Sequence, residues 1–179
     1  MSMPLQKPGK SRQDYGTPPE LLRALKIRLS IDDFSIDLAA SAENAVTVPY
    51  YTEEDNSLIQ PWGQWGWGWA WCNPPFSDIE PWVMKAIAAS APGWNADGTV
   101  LQAAKVAMLV PASVGSNWWR ECVDGRAHVL FLNGRLTFVG ETAPYPKDCA
   151  ILLYTPFVQG GYEVWNWRHY GKDCTVDTP

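Results

Sequence analysis

The stretch Trp69-Ala70-Trp71-Cys72-Asn73-Pro74-Pro75-Phe76 places an apolar run directly before a rigid polar corner. A short apolar run that ends at Asn-Pro-Pro predicts a strand whose carboxyl end carries this corner. Each proline fixes its own φ near about −65° and restricts the preceding residue to extended geometry. Because proline has no N–H, the corner presents hydrogen-bond acceptors, namely the Asn73 side-chain oxygen and the Pro74 carbonyl, beside the Phe76 ring. This arrangement suits a planar amine, such as the exocyclic amino group of a nucleobase.

The chemistry that this corner fits is transfer of a methyl group to such an amine. An aromatic amino nitrogen is a poor nucleophile because its lone pair is delocalised into the ring. Hydrogen bonds donated to the Asn73 oxygen and the Pro74 carbonyl would favour a tetrahedral nitrogen and localise that lone pair. Stacking of the base on Phe76 would hold it, at about 1–3 kcal/mol. The usual methyl donor is the sulfonium of S-adenosylmethionine. Asn-Pro-Pro is also an ordinary turn, so the flanking segments must decide between the two interpretations.

Length and composition predict one folded domain. The chain has 179 residues, of which 46% are hydrophobic and 18% charged, and this balance is typical of a compact protein. Polar, proline-containing residues 1–13 are expected to form a flexible tail, followed by a single domain over residues 14–179. The net charge of −5 argues against a wide basic surface for nucleic acid, although a local basic patch is compatible with it.

Several classes of protein are disfavoured by the residue pattern. The four cysteines and two histidines show no metal-ligand spacing, so no metal is expected. There is no apolar signal region at the amino terminus, and no stretch approaches the roughly 20 apolar residues of a membrane span. A reducing cytoplasm with free thiols is therefore expected, as is a monomer or weak dimer.

The periodicity predicts an α/β fold with a mostly parallel open sheet, helices on both faces and an antiparallel pair at the end. Thr17 is expected to cap the first helix, with Glu20 at capping-box spacing. Open α/β sheets bind ligands beyond the carboxyl ends of their strands. Asp37 and Asn73 both fall at such ends, so they are expected in one crevice. The predicted elements are strands near 34–40, 69–72, 105–111, 128–132 and 149–154, helices near 78–89 and 117–123, and an edge strand or helix near 162–167.

Five segments, in this order along the chain, resemble phage-type DNA N6-adenine methyltransferases of the Dam kind. The resemblance implies a Rossmann-like methyltransferase fold and methylation of a flipped adenine in double-stranded DNA, with S-adenosylmethionine as cofactor. It also implies a role in protecting phage DNA from host restriction. The segments are Asp14-Tyr-Gly-Thr-Pro-Pro19; Asp37-Leu-Ala-Ala-Ser41 with Glu43-Asn44; Tyr51-Thr-Glu-Glu-Asp55 with Leu58; Trp71-Cys-Asn-Pro-Pro-Phe76; and Leu109-Val-Pro111 to Trp118 with Gly134-Arg-Leu-Thr-Phe138 and Ala143-Pro-Tyr-Pro146.

The resemblance also implies roles for individual residues. The catalytic corner is Asn73, Pro74, Pro75 and Phe76. Asp37 would hold the α-amino group of the cofactor, although a capping carboxylate is the alternative for this residue. Cofactor contacts are further implied for Tyr15, Thr17, Pro18, Ala39, and either Glu53 or Asp55, between which the sequence does not choose. One departure concerns the turn after the first strand, where larger relatives have a glycine-rich segment and this chain has Leu38-Ala-Ala-Ser41.

Contacts to DNA are less defined. Base flipping calls for a gap-filling side chain, and Trp65, Trp67 and Trp118 are candidates. Arg120 and Arg135 are candidates for phosphate contacts, and so few contacts predict a shallow salt dependence of DNA affinity. Gly134 and Arg135 also fit an ordinary hairpin turn. Residues 62–69 and 139–148 are candidates for reading the target sequence.

Three alternatives stay open at this stage. A cytosine-N4 methyltransferase would use a similar corner, usually with Ser in place of Asn73. An enzyme acting on an RNA base or a protein glutamine amide faces the same problem of a delocalised nitrogen lone pair. An inactive DNA-binding relative is favoured by the acidic charge and the missing glycine turn, and disfavoured by the intact corner and Asp37.

Overall fold

The computed structural model describes residues 15–94, 100–101, 103–156 and 160–170, so the predicted tail lies outside the described residues. The helices are α1 (Pro19–Leu29), α2 (Glu80–Ser90) and α3 (Asn117–Cys122). The strands are β1 (Ile36–Asp37), β2 (Trp69–Cys72), β3 (Gly93–Trp94), β4 (Val100–Leu101), β5 (Lys105–Pro111), β6 (His128–Leu132), β7 (Cys149–Tyr154) and β8 (Gly161–Trp165). Three short 3-10 helices occupy Ser57–Ile59, Trp62–Trp65 and Trp167–His169.

Six strands form one mixed sheet in the order β1-β2-β5-β7-β6-β8, and β3 and β4 form a separate hairpin. β1, β2 and β5 are parallel, and β6 and β8 are parallel to each other. β7 is antiparallel to both of its neighbours, β5 and β6. The α/β class is therefore confirmed, but the antiparallel strand lies inside the sheet. The expected antiparallel pair of the last two predicted strands is confirmed as β6 and β7. The element near residues 162–167 is the edge strand β8, which pairs in parallel with β6.

The two faces of the sheet carry separate apolar cores, since side chains alternate along each strand. α1 packs on one face, against a cluster that includes Trp71, Leu109 and Ile151. α2 and α3 pack on the other face, against a cluster that includes Cys72, Met108 and Leu152. This arrangement places helices on both faces, as expected. The thiols of Cys72, Cys122 and Cys149 are free and buried.

The start of α1 differs from the sequence prediction. The capping residue is Pro18, with Pro19 at the first helical position, and no side chain caps the helix. The Pro18 carbonyl accepts hydrogen bonds from the N–H groups of Leu21 and Leu22, at 3.1 and 3.3 Å. The expected capping box of Thr17 and Glu20 is therefore wrong. Two consecutive prolines preset the backbone for the first turn without a side-chain cap, which frees the Thr17 hydroxyl for another partner.

The strand order switches at β1: the segment that follows β1 pairs with one of its edges, and β2 pairs with the other. After β1 the chain returns as an extended segment, residues 49–51, which bridges Asp37 in parallel at Tyr50. The Asp37 N–H donates to the Pro49 carbonyl at 3.0 Å, and the Tyr51 N–H donates to the Asp37 carbonyl at 2.9 Å. The next strand, β2, pairs with the other side of β1. Such a switch in strand order opens a crevice beyond the carboxyl ends of the two strands, and ligands of open α/β sheets bind there.

Candidate active site

Asn73 stands directly after the carboxyl end of β2, and its amide is held by the amino-terminal segment. The Asn73 Nδ2 group donates to the Tyr15 carbonyl at 2.7 Å and to the Thr17 Oγ1 at 3.3 Å. A backbone carbonyl can only accept hydrogen bonds, so the amide must turn its NH₂ group toward Tyr15. Within the described part of the chain, no hydrogen bond uses the Asn73 Oδ1 or the Pro74 carbonyl. Asn73 is half-buried and Pro74 is buried, so only the Asn73 acceptor belongs to a partly exposed residue.

Phe76 belongs to an aromatic cluster made of Tyr15, Phe76, Phe138 and Tyr145. Its ring meets the Phe138 ring edge-on with centroids 6.0 Å apart, and the Tyr145 ring with centroids 5.6 Å apart. Tyr15 stacks on Phe138 at 4.8 Å. Phe138 is buried and the other three rings are half-buried, which leaves part of Phe76 accessible. Phe138 and Tyr145 were not among the predicted site residues. A local sequence pattern carries no information about packing between residues that lie more than 60 positions apart.

The amino-terminal segment is fastened to the long connection between β6 and β7. Gly16 and Val139 form an antiparallel bridge, in which the Val139 N–H donates to the Gly16 carbonyl at 2.9 Å. A Cβ atom at Gly16 would lie 3.1 Å from the Val139 Cβ, so the close approach favours glycine. The Tyr145 N–H donates to the Leu136 carbonyl at 2.6 Å and folds the connection back on itself. These contacts hold residues 15–17 and 136–145 together against the corner.

Asp37 stands at the carboxyl end of β1 and is only 2% exposed. Its register partner on β2 is Trp71, two residues before Asn73. One carboxylate oxygen accepts the Ala39 N–H at 3.2 Å and the other accepts the Val46 N–H at 3.1 Å. Burial raises the pKa of this carboxyl to about 6, against the lowering effect of the two N–H groups. Asp37 therefore caps its loop, and each oxygen has a second lone pair that no described residue uses.

The turn after β1 needs no glycine. None of residues 38–41 has a positive φ, since Ser30 and Asn56 are the non-glycine residues with positive φ in the described ranges. The loop is closed by hydrogen bonds from the Ser41 N–H to the Asn44 Oδ1 at 2.7 Å and from the Ala40 N–H to the Tyr51 carbonyl at 2.9 Å. The departure from the glycine-rich pattern thus reflects a different loop geometry, which L-residues adopt without strain.

In the loop after residues 49–51, the carboxylates of Glu53 and Asp55 differ in their hydrogen bonding. One Asp55 carboxylate oxygen accepts both the N–H and the hydroxyl of Thr52, each at 2.8 Å, and these bonds lower the Asp55 pKa. The Glu53 side chain is exposed, and no hydrogen bond or ion pair of its carboxylate occurs between described residues. The whole Glu53 carboxylate therefore lacks a partner among the described residues, whereas one oxygen of Asp55 is engaged by Thr52.

The tryptophans predicted to contact DNA occupy different ends of the sheet. Trp65 is half-buried, and its Nε1 donates to the Tyr51 hydroxyl at 3.1 Å. Trp67 is 55% exposed and precedes the amino end of β2, whereas Asn73 follows the carboxyl end. The structure therefore does not bring Trp67 to the corner. Trp118 is half-buried in α3 beside Trp119, on the connection that leaves the carboxyl end of β5.

The two predicted arginines both follow carboxyl ends of strands and are exposed. Arg120 forms a 2.6 Å ion pair with its neighbour Glu121. Arg135 lies in the turn after β6, where its Nε is 3.7 Å from the Asp148 carboxylate. Exposed pairs of this kind are weak and open readily to another anion. The alternative reading of Gly134 and Arg135 as a turn agrees with the positive φ of 88° at Gly134.

Two features, a membrane-spanning helix and a metal-binding cluster, are absent from the described ranges. None of their helices is long and apolar enough to cross a membrane. The same ranges contain no group of three or more His, Cys, Asp or Glu side chains arranged to bind a metal ion.

Comparison with known proteins identifies the family. Residues 6–154 match the family described as DNA N-6-adenine-methyltransferase (Dam), and the chain belongs to that family. Proteins with the same description in Escherichia phage T1 and Haemophilus phage HP1 are 30% and 27% identical to it over 130 and 129 residues. These matches cover 73% and 69% of this chain, and 49% and 68% of the respective relatives. The chain thus spans about half the length of the T1 protein. No solved structure matches.

Proposed function

We propose that the chain is an S-adenosylmethionine-dependent DNA adenine-N6 methyltransferase with a Rossmann-like fold. The observation that carries this proposal is the Asn73 amide, whose NH₂ group is engaged by Tyr15 and Thr17 while its oxygen stays available. Beside it stand the Pro74 carbonyl, which has no hydrogen-bond partner among the described residues, and the partly accessible Phe76 ring. Family membership supports adenine as the acceptor base.

The architecture supports the Rossmann-like assignment. β1, β2 and β5 are parallel, and helices cover both faces of the sheet. The change in strand order falls between β1 and β2, next to Asp37 and Asn73. A ligand crevice at the carboxyl ends of these strands is the position that such folds use.

In the proposed reaction, Phe76 stacks on an adenine that has left the duplex. The adenine amino group donates its two hydrogens to the Asn73 Oδ1 and the Pro74 carbonyl, which localises the nitrogen lone pair away from the ring. S-adenosylmethionine, when bound, would supply an electrophilic methyl group; its transfer to the amino nitrogen would break the sulfur–methyl bond, with the electron pair going to sulfur and a neutral thioether leaving. The two acceptors stabilise the positive charge that the nitrogen gains, and the extra proton then leaves to water.

The carboxylates at the strand ends fit the polar groups of the cofactor. The second acceptor positions of Asp37 suit an ammonium group, and the free carboxylate of Glu53 suits a pair of ribose hydroxyls. Asp55 is left out of this proposal because Thr52 donates two hydrogen bonds to one of its carboxylate oxygens. Tyr15 and Pro18 cover the cofactor from the amino-terminal side, whereas the buried Thr17 hydroxyl accepts a hydrogen bond from Asn73. Ala39 contributes backbone at the loop that Asp37 caps.

Residues 139–148 are the proposed element that reads DNA. This segment follows Phe138, and its Tyr145 touches Phe76, so it adjoins the corner at which the base is received. Residues 139–144 are all exposed. Residues 62–69 precede the opposite end of β2, which makes them the weaker candidate. Double-stranded DNA in the bacterial host cytoplasm is the proposed partner, and protection of phage DNA from restriction is the proposed role.

An Asn73→Ala variant tests the proposal. Loss of the amide oxygen removes one of two groups that stabilise the reacting nitrogen, and a loss of transfer by about 100-fold or more is expected. The assay measures labelled methyl transfer from S-adenosylmethionine to PCR-amplified duplex DNA, followed by nucleoside analysis, with cofactor binding measured by calorimetry. Asn133→Ala is the matched control, since Asn133 is exposed and the hydrogen bonds found for it use its backbone.

N6-methyladenine from the native chain, lost in Asn73→Ala with cofactor affinity retained, is the expected outcome. N4-methylcytosine as the product would assign the chain to the cytosine-specific alternative. Label found on RNA or protein alone would refute the DNA assignment, and unchanged turnover of Asn73→Ala would remove Asn73 from the mechanism.

A further inference from the structure

We infer that the Tyr15 carbonyl and the Thr17 hydroxyl act as an amide clamp that makes Asn73 an acceptor, and that Thr17 is a positioning residue. This inference rests on the proposed function and concerns the same site. The clamp consists of the two hydrogen bonds that the Asn73 Nδ2 donates, at 2.7 and 3.3 Å. Neither Tyr15 nor Thr17 touches the reacting nitrogen; both act through Asn73.

The need for a clamp follows from the symmetry of the amide group. The oxygen and nitrogen of an asparagine side chain are nearly equal in size, so a rotation by 180° exchanges an acceptor for a donor without a steric penalty. A reversed Asn73 would present its NH₂ group to the amino group of the base, and two donors would face each other. The Tyr15 carbonyl prevents this reversal because it accepts only. Thr17 adds a second acceptor on the same side, in a position that is only 6% exposed and so little contested by water.

The two clamp residues belong to a segment, residues 15–17, that packs against the connection between β6 and β7. Residues 15–17 are held by the Gly16–Val139 bridge and by the stacking of Tyr15 on Phe138, at 4.8 Å. Phe138 in turn contacts Phe76 with ring centroids 6.0 Å apart. The same set of contacts therefore fixes the orientation of the Asn73 acceptor and the position of the stacking ring. Docking of residues 15–17 prepares both halves of the base site together.

A Thr17→Val variant isolates the hydroxyl, because valine keeps the shape of threonine. Loss of one of the two clamp bonds should lower kcat by about tenfold. KM for PCR-amplified duplex DNA and the Kd for S-adenosylmethionine should stay within about threefold, because the cofactor and DNA contacts remain. Thr17→Ser keeps the hydroxyl and should recover most of the lost kcat. Thermal unfolding of each variant reports any general loss of folding, and Thr17→Ala repeats the test if the valine variant does not fold.

A second readout does not depend on turnover. In the ¹⁵N-labelled protein without DNA, the side-chain NH₂ signals of Asn73 are assigned by their loss in Asn73→Ala. In Thr17→Val these signals should shift and their hydrogens should exchange faster with water, while in Thr17→Ser they should resemble those of the native chain.

The two readouts separate the clamp from the proposed function. If the native chain makes no N6-methyladenine, the proposed function fails, and the Asn73 signals alone decide whether the clamp exists. If the native chain is active but Thr17→Val keeps both its kcat and its Asn73 signals, the clamp is refuted. A loss of cofactor affinity with unchanged kcat would also refute it, since Thr17 would then act on the cofactor.

Discussion

Hydrogen bonds favour the charged form of the Asp37 carboxyl, whereas its burial disfavours that form. Its oxygens accept the N–H groups of Ala39 and Val46, and burial still raises its pKa to about 6 from 3.8. Because the folded pKa is the higher one, the folded chain binds a proton between about pH 4 and 6 that the unfolded chain has released. The contribution of Asp37 to stability therefore falls as the pH rises through this window, by up to about 3 kcal/mol. A buried carboxyl whose charged form is disfavoured in this way gains most from a cationic ligand.

The pH dependence of cofactor binding tests this role of Asp37. If its carboxylate receives the ammonium of S-adenosylmethionine, protonation competes with binding, and the Kd should rise toward a limit of about tenfold per pH unit below pH 6. Calorimetry between pH 5 and 8 measures this rise. Asp37→Asn, which carries no charge at any of these values, should bind more weakly and show a flat profile. A native profile that is equally flat would leave Asp37 as a loop cap only.

At the scale of elements, the connection between β6 and β7 is the feature that completes the site. It starts with Gly134, which has a φ of 88°, beside the Arg168 side chain. The Arg168 guanidinium donates to the carbonyls of Asn133 and Arg135, at 3.1 and 2.9 Å, and so fixes the turn from outside. The connection then brings Phe138 and Tyr145 to Phe76. The start of the connection is therefore held by the Arg168 side chain, and its later residues are held by the Gly16–Val139 bridge and the aromatic cluster.

Gly134→Ala should destabilise the protein by more than Gly140→Ala. Both glycines have positive φ, so each substitution carries a backbone strain of about 1–2 kcal/mol. At Gly134 the new Cβ would also lie 1.8 Å from the Arg168 Nη1, whereas at Gly140 it would meet no atom within 4 Å. The difference between the two free energies of unfolding, measured with urea, isolates the loss of the Arg168 contacts. Equal effects would show that Arg168 yields without cost.

Local sequence patterns predicted the elements that have their own periodicity. β2, β5, β6 and β7 have the boundaries expected from their apolar runs, and Asn73 stands at the strand end where the proline pair placed it. The pairing of β8 with β6, the bridge of Gly16 to Val139 and the aromatic cluster were not predictable in this way. Each depends on contacts between distant segments, which no local pattern encodes. Thr17 illustrates the limit, because a local rule assigned its hydroxyl to a helix cap and the fold gives it to Asn73.

At the scale of the whole molecule, the proposed function requires an acidic chain to bind a polyanion through a limited surface. The net charge is −5, and the exposed basic residues near the corner include Arg135, with Asp148 at 3.7 Å. Such a pair can exchange its partner for a phosphate at little cost. Few released counterions are then expected on binding, so affinity relies more on the base site than on the DNA backbone.

The salt dependence of DNA affinity measures how much of the binding comes from phosphate contacts and how much from the base site. The slope of log K against log salt should be shallow, at about −2 to −3 for two or three phosphate contacts. Arg135→Ala should reduce its magnitude by about 0.9. Arg28→Gln is the control, because Arg28 lies near the end of α1 in an ion pair with Glu163 on β8. Fluorescence anisotropy of a labelled duplex over a salt series gives both slopes. A steep slope in the native chain, or no change in Arg135→Ala, would contradict this account.

The burial of the described cysteines has a practical consequence. Burial raises the pKa of the Cys72, Cys122 and Cys149 thiols, and the thiolate is the form that reacts with alkylating dyes. Once Cys174 is replaced by serine, a cysteine introduced on the exposed segment at residues 140–143 would therefore be the preferred target of a maleimide fluorophore. The fluorescence of a single dye at that position would report whether the surroundings of this segment change when duplex DNA is added.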